Sequence, residues 1–188
     1  MNWFAFLADP VAASAVAGCV ALILFSAAWH KFSEFDIFAG ALDAYQLLPS
    51  VAVMPIARLL PCVEVAIALF VLVPASRHFG LIAFAGLIAI YAVAITVNLM
   101  RGRRQIDCGC GGDVHLLCWG LVLRNALLTG VALAMSGPSV DRLYEWLDAV
   151  TLIVGVLALY GSYLTFDELL RQFGRIAQLN GTQSGAAR

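Results

Sequence analysis

The sequence predicts an all-α polytopic membrane helix bundle, with five transmembrane helices, or four as the alternative count, and one short interfacial helix. Two features of the composition indicate this class. Apolar residues make up 62% of the chain, against roughly 45–50% in soluble domains. Charged residues make up 12%, about half of the usual share. Because a water-soluble fold has too little interior to bury so much apolar surface, much of that surface is expected to face lipid.

Five apolar stretches approach the length of about 20 residues that a helix needs to cross the hydrocarbon core of a bilayer. They are Val11 to Trp29, Ile56 to Val73, Phe79 to Met100, Leu116 to Met135 and Ala149 to Phe166. The residues before the first stretch include Asp9 and no Lys or Arg, whereas a secretory signal begins with a basic segment. We therefore expect the first stretch to be a retained anchor.

Between the first two stretches, large apolar residues recur at helical spacing, which predicts a short helix lying in the membrane interface. These residues are Phe32, Phe35, Phe38, Leu42 and Tyr45. The dipeptide Leu48-Pro49 is expected to end this helix, since a residue before proline avoids helical dihedrals. We expect a single domain over residues 1–179, followed by a disordered tail at 180–188 where the composition becomes polar.

Basic residues are distributed unevenly between the two sides that five crossings would create. One side holds Lys31, Arg58, Arg101, Arg103, Arg104, Arg171, Arg175 and Arg188, and the other side holds Arg77 and Arg142. Cytoplasmic loops carry the excess of Lys and Arg, so the N-terminus is predicted outside and the C-terminus inside. The formal net charge of −1 and the lack of a long basic run give no sign of nucleic-acid binding.

The loop between the third and fourth stretches contains Cys108 and Cys110, separated by one glycine and followed by two more. A disulfide between such close cysteines closes a small, constrained ring, and strained disulfides exchange readily. Arg101 and Arg103 would favour the reactive thiolate, whereas Asp107 would oppose it. The pattern favours a redox pair, and the plain alternative is two small residues in a glycine-rich turn.

A metal site is the competing interpretation of this loop. Cys108, Cys110, His115 and Cys118 form a run of four ligands that zinc accepts. Of the other cysteines, Cys19 is expected to pack as a small apolar residue. Cys62 and Cys118 lie toward the same membrane face as the loop, so they are candidate resolving thiols, with packing as the favoured alternative. No cofactor is expected.

Ionisable residues inside membrane spans usually have partners or mark function. Glu64 and Arg124 are predicted at the same depth, about 10 Å from the same face, which suggests a buried ion pair. Asn98 and Asn125 fall near this level and are expected to complete its hydrogen bonding. His30 and Lys31 end the first stretch and are interpreted mainly as interfacial anchors.

Several segments resemble the MauE family of methylamine-utilization membrane proteins, within the wider DoxX-like group. The resemblance runs from about Ala27 to Asn125, and its most specific part is the block from Ile106 to Gly112. It also includes Ala28-Trp29-His30-Lys31-Phe32, Leu47-Leu48-Pro49, Leu60-Pro61 with Glu64, Asn98-Leu99-Met100-Arg101-Gly102-Arg103, and Trp119 with Arg124-Asn125.

The resemblance implies a multipass protein of the bacterial cytoplasmic (inner) membrane. It further implies a role in maturation of the periplasmic methylamine dehydrogenase light subunit, alongside a thioredoxin-like partner, MauD. The chain is then a component of a thiol–disulfide oxidoreductase system, a non-catalytic scaffold for the partner, or a metal-binding or transport protein. The charge count puts the cysteine loop in the cytoplasm, whereas the client folds outside. Either electrons cross the membrane or the orientation is inverted.

Overall fold

A computed structural model describes residues 9–103, 106, 117–137 and 145–186, with side chains as far as Phe173. These residues form six α-helices and, within the described ranges, no strand. The helices are α1 (Pro10–Ser33), α2 (Phe35–Ala44), α3 (Ser50–Leu72), α4 (Arg77–Met100), α5 (Trp119–Met135) and α6 (Trp146–Ala186). The all-helical class predicted from composition is therefore confirmed.

Four helices are long and apolar enough to cross a membrane: α1, α3, α4 and the Trp146–Phe173 part of α6. Helix α5 is also apolar but has 17 residues, about 25 Å of helix. It runs antiparallel to α4, because Leu117 packs with Leu99 at one end and Ser136 contacts His78 at the other. Thus α5 lies along most of α4, and five apolar helices stand side by side.

Helices α1 and α6 run in the same direction and approach closely at two glycines. A Cβ atom on Gly18 would lie 2.7 Å from Val156 Cγ2, and one on Gly155 would lie 3.4 Å from the Ala15 side chain. The missing side chains allow this approach, as small residues do between membrane helices. Most of α6 otherwise shows apolar side chains on the outer surface, which suits contact with lipid.

The main apolar core lies where α1, α3, α4 and α5 meet. Its buried members include Leu24, Val71, Leu81, Phe84 and Ala132. A second cluster joins Tyr45 to Ile95, Leu99, Leu117 and Leu121, with Ile106 packed against it. Ile106 and Leu117 lie on either side, in sequence, of the segment that contains Cys108 and Cys110. We call this end of the molecule the loop end. The ends of α1 and α4 and the starts of α3 and α5 all lie there, as the sequence predicted.

Several helix boundaries differ from those expected. Helix α1 continues four residues beyond Trp29, and α3 begins six residues before Ile56, directly after Pro49. The short helix predicted between the first two spans is present as α2, with Phe38, Ala39 and Ala41 buried, and it ends at Ala44 rather than at Leu48-Pro49. Helix α6 continues to Ala186, beyond Phe166, where the last span was expected to end.

Candidate functional site at the loop end

The proposed redox pair, Cys108 and Cys110, lies outside the described residues, as do Asp107 and His115. The structure does describe the base of this loop. The backbone N–H of Leu117 donates to the Ile106 carbonyl at 3.2 Å. That hydrogen bond brings the two ends of the loop together, directly before α5 begins.

A Schellman motif ends α4 at the start of the loop. Gly102 has a φ of +75°, in the left-handed region that favours glycine. The backbone N–H of Gly102 donates to Leu99 O, and that of Arg103 donates to Asn98 O, both at 3.0 Å. The chain therefore leaves α4 in a defined direction.

Arg101 and Arg103 hold the loop base against the connection between α2 and α3. The Arg101 guanidinium donates to the Gln46 carbonyl at 3.5 Å, and that of Arg103 donates to the Ala44 carbonyl at 3.4 Å and to the Gln46 side-chain oxygen. Gln46 itself has a φ of 48°, and its N–H donates to Asp43 O, which closes the end of α2. In the structure, these two arginines therefore act as anchors.

The described cysteines occupy three different environments, and all three are free thiols. Cys118 is the N-cap residue of α5, partly buried at the base of the loop. Cys62 lies twelve residues after Ser50 on α3, about 18 Å along the helix, where its exposed thiol donates to Arg58 O. Cys19 is buried in α1, as expected. Of the two candidate resolving thiols, Cys118 is the one that the fold brings to the loop base.

The predicted ion pair between Glu64 and Arg124 is wrong, because each residue pairs with another partner. Glu64 accepts hydrogen bonds from Lys31 at 2.7 and 3.0 Å and from the Tyr91 hydroxyl at 2.8 Å. Lys31 is only 3% exposed, so it is a core residue and not the interfacial anchor we expected. His30, the next residue along α1, remains partly exposed.

Arg124 instead forms an ion pair with Asp167 on α6. Its guanidinium also donates to the Asn125 side-chain oxygen through two N–H groups at 3.3 Å, and it stands 5.8 Å from the Tyr163 ring centroid. Asn125 therefore contacts Arg124, although the Glu64–Arg124 pair that it was predicted to support does not form. Asp167 was not predicted as a partner because it lies one residue beyond Phe166, where the last span was expected to end.

Asn98 does not join either ion pair. Its side-chain amide donates to Ala94 O at 3.1 Å, within the same helix. Its buried oxygen and the buried amide nitrogen of Asn125 have no hydrogen-bond partner within the described part of the chain. The prediction that Asn98 completes the ion-pair network is therefore wrong.

A cavity of about 350 Å³ lies beside the Lys31–Glu64 pair, between α2, α3 and α4. Its lining consists of Lys31, Phe38, Ala41, Leu42, Tyr45, Leu47, Leu48, Ile56, Leu60, Ile90, Tyr91, Ala94 and Ile95. Nearly all of the wall is apolar. The charged lining residue is Lys31, whose ammonium lies 5.4 Å from the ring centroid of Phe38 and 5.8 Å from that of Tyr91, and we call this part of the cavity its polar end. The cavity lies at the loop end, because its wall residue Tyr45 belongs to the cluster that includes Leu117.

Comparison with known proteins gives the family of this chain. The family model described as "Methylamine utilisation protein MauE" matches residues 7–137. The chain belongs to the MauE family. The matched region contains helices α1 to α5, the cysteine loop and the Lys31–Glu64 pair.

Named MauE proteins from several bacteria are similar to this chain. The Paracoccus denitrificans protein is 37% identical over 133 residues, covering 70% of this chain and 72% of the relative. The Methylorubrum extorquens protein is 33% identical over 184 residues, covering 97% and 94% respectively. The Methylophilus methylotrophus protein is 34% identical over 169 residues, covering 85% and 86%. No solved structure matches significantly.

These comparisons place the chain among methylamine utilisation proteins. The family model ends at residue 137, before α6, whereas the similarity to the Methylorubrum extorquens MauE protein covers nearly the whole chain. Helix α6 supplies Asp167, the partner of Arg124. The Arg124–Asp167 pair therefore joins the region matched by the MauE model to the helix that follows it.

Proposed function

We propose that this MauE-family protein supports maturation of the methylamine dehydrogenase light subunit by thiol–disulfide exchange at Cys108 and Cys110. The observation that carries the proposal is the way the fold holds the base of the cysteine loop. A Schellman motif, the Leu117–Ile106 hydrogen bond and the two arginine anchors fix both ends of the segment. A short cysteine segment held at a rigid base suits repeated reaction with a partner.

The exchange conserves atoms and electrons. In the direction of client oxidation, a client thiolate attacks the Cys108–Cys110 disulfide and forms a mixed disulfide. The second client thiolate then attacks the mixed disulfide, so the client gains one S–S bond and the loop regains two thiols. Two electrons and two protons pass from the client to the loop, and a thioredoxin-like protein such as MauD is the expected intermediary.

The proposed setting is the bacterial inner membrane, with the lipid bilayer around the five apolar helices. The distribution of arginines favours an N-terminus outside and a C-terminus inside, so the loop end faces the cytoplasm. Exchange with a periplasmic client would then require electrons to cross the membrane. If the orientation is inverted, the loop reacts with periplasmic proteins directly.

The function is tested with Cys108→Ser and Cys110→Ser, expressed separately in a host that lacks its own MauE protein, is grown on another carbon source and is induced with methylamine. Loss of mature light subunit in both variants is expected, together with a reducible adduct to the thioredoxin-like partner in one of them. Cys19→Ser is the matched control, because Cys19 is buried in α1, and it should mature the client normally. If both loop variants also do so, the redox function fails and a scaffold for the partner replaces it.

Orientation is tested by alkylating Cys108 and Cys110 with a membrane-impermeant maleimide in a Cys19/Cys62/Cys118→Ser background. Labelling in inverted vesicles but not in intact spheroplasts would place the loop in the cytoplasm. The reverse pattern would place it outside and overturn the orientation given by the charge count. Comparing the labelling of samples with and without prior reduction also shows whether Cys108 and Cys110 are thiols or a disulfide.

A further inference from the structure

The cavity beside Lys31 combines an apolar wall with a single polar end. Its volume of about 350 Å³ falls within the range of small-molecule sites, roughly 300–1,000 Å³. Phe38, Leu42, Leu60 and Ile95 contribute apolar surface to it. Such a wall favours a lipophilic ligand.

The polar end limits the charge of that ligand. Lys31 is already neutralised by Glu64, and the pair is buried, so an added ionic group would have no counter-charge there. The two bonds to the carboxylate use two of the three N–H donors of the ammonium. The third donor is suited to a neutral acceptor such as a carbonyl oxygen. This chemistry disfavours a phospholipid headgroup and fits an uncharged carbonyl compound.

We propose that the cavity binds a lipophilic quinone, which reoxidises the Cys108–Cys110 dithiol. The inference rests on the proposed function and adds its electron acceptor. Oxidation of the dithiol breaks two S–H bonds and forms one S–S bond. The two electrons and two protons convert the quinone into a quinol, so the reaction balances without another reactant. The N–H donor of Lys31 holds one quinone carbonyl, and the aromatic rings of Phe38 and Tyr91 border the bound ring.

The fold connects this cavity to the cysteine loop through Tyr45. This buried residue follows α2, lines the cavity and packs in one cluster with Leu117, with Ile106 packed against it. Leu117 and Ile106 form the base of the loop, because the backbone N–H of Leu117 donates to the Ile106 carbonyl. The neighbouring residue Gln46 accepts hydrogen bonds from both arginine anchors. The loop base and the cavity therefore share one wall.

The test uses the full-length protein in lipid nanodiscs, with its thiols reduced, and decylubiquinone as the probe. Binding is measured by equilibrium titration, and electron transfer is followed as loss of quinone absorbance together with loss of free thiols. The variant Ala94→Leu fills part of the cavity and should weaken quinone binding by at least about tenfold. Ala92→Leu is the matched control, since Ala92 is equally half-buried on α4 but does not line the cavity, and it should bind as the unmodified protein does.

A second variant examines the polar end without leaving a buried charge. The double substitution Lys31→Met with Glu64→Gln removes the donor and its counter-charge together, and it should also weaken binding of decylubiquinone. Cys108→Ser/Cys110→Ser should bind decylubiquinone normally but reduce none of it.

Failure of this inference is distinguishable from failure of the proposed function. If Ala94→Leu and Ala92→Leu bind decylubiquinone equally, the cavity is not a quinone site. In that case client maturation can still depend on Cys108 and Cys110. If the quinone binds and the dithiol never reduces it, the redox coupling is overturned.

Discussion

The Lys31 ammonium and the Glu64 carboxylate form a bidentate buried ion pair between α1 and α3, with N–O distances of 2.7 and 3.0 Å. Tyr91 on α4 donates to the same carboxylate at 2.8 Å. One carboxylate therefore links three membrane helices. Because these charges lie inside the bundle, the pair helps to fix how α1, α3 and α4 pack against one another.

Lys31→Met and Glu64→Gln should each lower the free energy of unfolding by about 3–5 kcal/mol, since each leaves one buried charge without its partner. The double variant should lose less than the sum of the two. Denaturant unfolding of the purified proteins in mild detergent measures the three values. Arg58→Gln, at an exposed position of α3, is the control and should shift stability by no more than about 0.5 kcal/mol. If the loss in the double variant equals the sum of the two single losses, the contact between Lys31 and Glu64 is contradicted.

Asp167→Asn should destabilise the packing of α6 against α5 by about 1–3 kcal/mol, because it removes the counter-charge of the buried Arg124 guanidinium. Glu168→Gln is the matched control. That neighbouring residue is 47% exposed and pairs with Arg171, so little change is expected. Limited proteolysis of α6 and thermal unfolding compare the two variants, and equal behaviour would argue against a structural role for the Arg124–Asp167 pair.

Gly80→Ala should destabilise the turn between α3 and α4. An added Cβ would lie 2.7 Å from the Val71 backbone nitrogen and 2.9 Å from the Phe70 carbonyl carbon, which cannot move independently of α3. A cost of about 1–3 kcal/mol is typical of such overpacking. Gly86→Ala on the same helix meets no atom within 4 Å and should be neutral or slightly stabilising. Thermal unfolding of the two variants measures the difference in stability. A Gly80→Ala variant as stable as the unmodified protein would contradict the close approach of Gly80 to the Val71 backbone.

Cys118→Ser should cause mixed disulfides with the thioredoxin-like partner to accumulate, because Cys118 stands at the loop base where it can release them. Cys62→Ser should not, since Cys62 lies far along α3 with its thiol exposed on the outer surface. Non-reducing gels of acid-quenched membranes measure the adduct. Similar adduct levels in both variants would show that neither cysteine acts as a resolving thiol.

The fold class and the approximate spans could be predicted from the sequence because both depend on composition and local periodicity. The interfacial helix α2 was predicted because Phe35, Phe38 and Leu42 recur at helical spacing. The extra turn of α1 was missed because Lys31 marks a membrane boundary in most sequences. Here Glu64 neutralises that charge, and the neutralisation depends on a residue 33 positions away.

The sequence by itself determined which residues are apolar, approximately where each span lies and which spans carry Glu64 and Arg124. Only the tertiary structure decided their partners. Depth follows from position along one helix, whereas pairing depends on helix rotation and on which helices are neighbours. These are set by packing among all the helices, as at Gly18 and Val156. Glu64 and Arg124 therefore each have a different partner, because the bundle places Lys31 beside Glu64 and Asp167 beside Arg124.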